Sequence, residues 1–123
     1  MTKEFFDKNG KKVAYSRKSM FFNETIYYDK DGKKIGSSKP DWFRPGQTNY
    51  FDASGKEMGK SQKDIFFGHE TTYYDKNNKK VGTSKPSYFE TGKTYYYDED
   101  KKKKGESRRS LWDIILGTGE DDF

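Results

Sequence analysis

An aspartate returns along this chain with almost no drift, at Asp7, Asp29, Asp52, Asp75 and Asp98, spaced 22, 23, 23 and 23 residues apart. Independent insertions would scatter that register, so the chain reads as five copies of one supersecondary unit. Each aspartate opens a polar segment: DKNGKK, DKDGKK, DASGKE, DKNNKK and DEDKKK. Three residues on stands Gly10, Gly32, Gly55 or Asn78, types that tolerate positive φ, and a lysine follows in every unit. Between β-prone runs this pattern predicts a hairpin, its type I turn closed by a left-handed residue and a G1 bulge. The aspartate is placed to accept hydrogen bonds from turn amides. Lys101 stands where glycine belongs in the fifth unit, which predicts a looser turn, with Gly32→Val destabilising far more than Lys101→Val.

The flanking columns are as regular. The two residues before each aspartate are aromatic: Phe5-Phe6, Tyr27-Tyr28, Tyr50-Phe51, Tyr73-Tyr74 and Tyr96-Tyr97. Adjacent strand residues point to opposite faces, so each face carries its own aromatic ladder. Thr25, Thr48, Thr71 and Thr94 lie on the side opposite the residue just before Asp. On the return strand an apolar column (Val13, Ile35, Met58, Val81, broken by Lys104) precedes a small one: Ala14, Gly36, Gly59, Gly82 and Gly105. A small residue there leaves space for a neighbouring ring or a close backbone. Serines follow two positions on, at Ser16, Ser38, Ser61, Ser84 and Ser107. The apolar pairs Met20-Phe21, Trp42-Phe43, Ile65-Phe66, Tyr88-Phe89 and Leu111-Trp112 are expected to plug the connections between hairpins. Pro40 and Pro86 mark a two-unit superperiod, which places alternate connections on opposite sides or against different neighbours.

Composition alone leans toward disorder, with 37% charged residues and only nine Leu, Ile and Val. The 18% of aromatic residues reverses that reading, since a few large rings per unit replace an aliphatic core. The expected fold is all-β: a tandem β-hairpin repeat forming an elongated antiparallel meander, as a single-layer sheet or hairpin solenoid. A closed barrel is the alternative. The array covers residues 1–109, and a C-terminal capping segment with an acidic tail covers 110–123. In such an array stability is a sum over units, so deleting residues 52–97 is expected to leave a shorter folded protein.

On the stretch YYDKDGKKIGSS from Tyr27, the chain resembles MORN-like repeats and, more distantly, choline- and glucan-binding cell-wall repeats. It is most similar to uncharacterised bacterial proteins with the pattern Y-D-x-x-G-K-x-x-G-x-S. The resemblance implies a hairpin array and carries no ligand, because the paired tryptophans of the choline-binding type are missing.

The inventory argues against an enzyme. There is no cysteine, and His69 is the sole histidine, read as an exposed loop residue. The repeated aspartates read as turn residues rather than acid–base catalysts. Calcium is rejected because Lys33 and Lys34 follow DKDG directly, so no metal or cofactor is expected. The expected function is a non-catalytic module for protein–protein interaction, its partner another protein or a second copy. A glycan-binding array is the alternative, and single-stranded nucleic acid is disfavoured by acids among the lysines. Tyr27, Tyr50, Tyr73, Tyr96, Trp42 and Tyr88 are the candidate binding surface. Leu111, Trp112, Ile115 and Leu116 are the candidate cap or docking peptide. Lacking a signal-peptide-like or membrane-spanning apolar run, the chain is expected to be cytoplasmic with no membrane partner.

Overall fold

Each Asp-centred segment folds the chain back on itself, and the computed structural model, described for residues 2–19, 22–64 and 69–109, contains ten strands. They are β1 (Thr2–Asp7), β2 (Lys12–Lys18), β3 (Thr25–Asp29), β4 (Lys34–Pro40), β5 (Gln47–Asp52), β6 (Glu57–Lys63), β7 (Thr71–Asp75), β8 (Lys80–Pro86), β9 (Lys93–Asp98) and β10 (Lys103–Arg109). Every strand pairs antiparallel with its neighbours in sequence.

The sheet is not an open meander. β10 pairs with β1, from Lys3 opposite Arg109 to Asp7 opposite Gly105, and closes a barrel. A physical cause sits in every hairpin. The register skips Val13, Ile35, Met58, Val81 and Lys104, one residue per return strand. Such a bulge bends its strand and increases local twist, and five repeats curl the sheet in one direction. Closure also removes both edges, so the last strand needs no cover. The capping segment 110–123 lies outside the described residues. The bulge explains Lys104 too: the skipped residues are exposed, from 43% at Val81 to 53% at Met58, so a lysine fits that column.

The turns follow the expected chemistry, including the fifth. In all five, the aspartate Oδ1 accepts backbone N–H bonds from two and four residues on, at 2.8–3.0 Å. The closing residue is left-handed each time: Gly10, Gly32, Gly55, Asn78 (φ 65°) and Lys101 (φ 64°). The fifth turn is therefore no looser. Two carboxylate bonds and two backbone bonds hold Lys101 in the glycine conformation, so a β-branched residue is strained there as well.

Candidate functional site: the two aromatic ladders and the connection end

The identical strand pattern leaves open which ladder faces inward; ring convergence decides it. Phe5, Tyr27, Tyr50, Tyr73 and Tyr96 lie on alternate strands, whose backbones are roughly 10 Å apart. Yet ring centroids are 6.2 Å apart for Phe5–Tyr27, Phe5–Tyr96 and Tyr50–Tyr73, and 6.4 Å for Tyr73–Tyr96. Side chains converge only on a concave face, so these five rings are the core. The small inward residues of the intervening strands make room for them.

Four hydroxyls are paired inside: Tyr27 with Ser38, Tyr50 with Ser61, Tyr73 with Ser84 and Tyr96 with Ser107, at 2.8–2.9 Å. Burial, and then the neighbouring phenols, push the Tyr73 hydroxyl well above its ordinary pKa, so it stays neutral. Tyr27, Tyr50, Tyr73 and Tyr96 are thus interior residues and no part of an outer ladder. Only Trp42 and Tyr88 of the expected binding surface stand in solvent.

On the outer face three rings, Tyr15, Tyr95 and Phe6, carry the protein's own cations. Lys12 and Arg17 flank the Tyr15 ring at 5.3 and 5.8 Å, and Tyr15 stacks on Tyr28 at 5.0 Å. Lys93 and Lys103 approach Tyr95 at 5.3 and 4.7 Å, and Arg108 approaches Phe6 at 5.1 Å. Beside them Glu106 is 9% exposed and meets Lys93 and Arg108 at 3.1 Å. Burial by itself raises its pKa, but hydrogen bonds from Lys93 and Arg108 outweigh it and hold the pKa below the ordinary glutamate value. Such a carboxylate is a structural anion, unsuited to donating a proton. Among the described residues no cluster of His, Asp and Glu is fit to hold a metal.

The strand ends that the four connections between units join all lie at the barrel end opposite the turns, so alternate connections do not lie on opposite sides. They do form two classes. The Asp41–Gly46 and Ser87–Gly92 connections end in a left-handed glycine whose carbonyl accepts the amide of Lys63 or Arg109 from the return strand of the same unit. The other two instead carry Asn23 (φ 52°) or His69 (φ 54°) in the left-handed region. His69 is exposed.

The described aromatics of these connections are not buried. Trp42 is 95% exposed, Phe43 92%, Phe89 97%, and Tyr88 and Phe22 are 81% each. For Trp42, Phe43, Tyr88 and Phe89 the expected plug is overturned: all four stand in solvent, and the inner rings supply the core instead. Met20, Phe21, Ile65, Phe66, Leu111, Trp112, Ile115 and Leu116 lie outside the described residues. The loops that lift the exposed rings are built by short hydrogen bonds. Asp41 accepts the Phe43 amide at 2.9 Å and the Gln47 and Asn49 side-chain amides at 3.3 and 3.2 Å. The Phe43 amide and then the Asn49 side chain depress the Asp41 pKa against the opposing effect of desolvation. Ser87 accepts the amides of Phe89 and Glu90, and Ser19 accepts that of Phe22. An Asx or Ser turn in the first connection position is the sequence signal that places these rings on show.

No family model, curated protein or solved structure matches this chain. Among the described residues, no helix is long and apolar enough to cross a membrane.

Proposed function

We propose that the protein is a non-catalytic docking module that binds another protein through the aromatic crown at its connection end, a second copy being the simplest partner. One observation carries this reading: five large apolar side chains, each more than four-fifths exposed, stand at one end of the barrel. Single apolar residues are ordinary on a surface, whereas adjacent exposed rings repeated on one rim favour a contact surface. Trp and Tyr are favoured contact residues, because they bring large area at low conformational cost. The turns that hold Trp42-Phe43 and Tyr88-Phe89 lower that cost further. The inner tyrosines are turned into the barrel, and Phe6, Tyr15 and Tyr95 on the outer face are flanked by lysine or arginine, which disfavours a continuous sugar-stacking ladder.

The test compares wild type with a variant carrying Trp42→Ser, Phe43→Ser, Tyr88→Ser and Phe89→Ser. These side chains carry little folded-state packing, so stability should change by about 0.5 kcal/mol or less per site. Sedimentation equilibrium should show concentration-dependent association of wild type and a monomeric variant. Monomeric wild type whose co-purifying proteins match the variant's would defeat the proposal, and glycan binding lost with Trp42 would replace it.

A further inference from the structure

The barrel is filled unequally along its axis. Toward the connection end the inward positions hold serines, threonines and Lys3, all buried or half-buried. Toward the turns the inward layer beyond the aromatic ring is Ala14, Gly36, Gly59, Gly82 and Gly105, which supply almost no side chain. The glycines are held to that size by backbone: a Cβ on Gly36 would lie 2.5 Å from the Phe51 carbonyl oxygen, and one on Gly105 2.2 Å from that of Phe6. The core rings do not fill the space either. Tyr27 and Tyr50 reach Ser38 and Ser61, two residues nearer the connection end than the glycines opposite them, so their rings lean away from the turns. The turn aspartates fold back onto their own backbone amides. What remains is an apolar cup of about 310 Å³, with Phe5, Tyr27 and Tyr50 at its base and Ala14, Ile35 and Gly36 in its wall.

We propose that this cup is a binding site for a small, neutral aromatic molecule of one or two rings. It lies at the opposite end of the barrel from the docking crown and does not depend on it. The volume is at the lower end of the range for ligand pockets. Apolar walls hold water poorly, so an apolar guest displaces it at little loss. The base offers ring edges and faces for offset or edge-to-face contact. The Tyr27 and Tyr50 hydroxyls are committed to serines, so a charged or strongly polar ligand would lose hydration without gaining partners.

The probe is indole, with naphthalene as a purely apolar second, titrated into the full ¹⁵N-labelled chain. Saturable shifts are expected at the amides of Ala14, Gly36 and Tyr50 and none at Trp42 or Phe89. Ala14→Leu should fill the cup and weaken binding at least tenfold with the thermal midpoint retained. Should leucine not be accommodated, Ala14→Val is the smaller filler and should give an intermediate loss. The four-serine crown variant should bind indole as wild type does, separating this site from the docking reading. Absence of saturation, shifts confined to the crown, or filler variants binding as tightly as wild type would each overturn the proposal.

Discussion

The two ends of the barrel reverse the same chain under different rules. At the turn end five segments of different composition make one structure, with the same carboxylate bonds and the same left-handed residue, whether Gly, Asn or Lys. At the connection end the reversals split into two classes and display bare rings. The turn end is governed by backbone geometry, so its side chains serve the fold. At the connection end Ser19, Asp41 and Ser87 each accept a loop amide, and the exposed apolar residues there are left over from folding. Surplus apolar surface on a built scaffold is where binding is to be sought.

The largest test of that contrast is deletion of residues 52–97. If local hairpins carried the fold, as in an open array, six strands would remain folded. In a closed barrel the loss removes two of the five core rings and the register of the β1–β10 seam, so circular dichroism should show no cooperative transition. A sharp melt near that of wild type would restore the open array.

Next come substitutions in the ring that both ends share. Tyr73→Ala should cost about 3–5 kcal/mol in denaturant unfolding. Tyr73→Phe, which leaves the buried Ser84 hydroxyl without its partner, should cost about 1–3 kcal/mol. Equal losses for the two would mean that packing contributes little.

Two glycines in the turn-end half then separate crowding from backbone strain. Gly105→Ala places a Cβ against the Phe6 carbonyl and should cost about 3 kcal/mol. Gly10→Ala meets nothing within 4 Å but must adopt φ 81°, and about 1 kcal/mol is expected. The reverse order in thermal melts would contradict the close strand approach.

A gain should come from Phe5→Tyr. Phe5 faces Ala14 with Ser16 two residues toward the connection end, as Tyr27 faces Gly36 with Ser38 beyond it. The new hydroxyl should complete the fifth Tyr–Ser bond and add about 1 kcal/mol.

The smallest effect separates connections by pH. Asp52 has its pKa lowered first by the Ser54 hydroxyl and Asp98 first by the Lys102 amide; Asp41 is likewise depressed. A carboxylate whose folded pKa lies below its unfolded value stabilises fully above the unfolded value, about 3.9 for aspartate. That contribution is lost as pH falls through the folded pKa. Denaturant midpoints should therefore hold from about pH 6 to 5 and decline below about pH 4. The Asp41 loop should loosen in acid, read by Trp42 fluorescence, while the Ser87 loop should not.

Much of this was legible in the residues. The aspartate register located all five hairpins, and period-2 alternation put an aromatic ladder on each face, because turn chemistry and side-chain alternation are local. The fifth turn was misread because Lys101 is a poor left-handed residue on its own; four flanking interactions, not its identity, set its φ. The bulges at Val13, Ile35, Met58, Val81 and Lys104 hid behind a column that looked like core. Those bulges set the curvature, and curvature decides closure, which ladder turns inward and where the small-residue layer leaves a cup. Both ladders are aromatic, so composition could not rank them. Only the closed sheet, through convergence on its concave side, made Tyr27, Tyr50, Tyr73 and Tyr96 core and left Trp42, Phe43, Tyr88 and Phe89 outside.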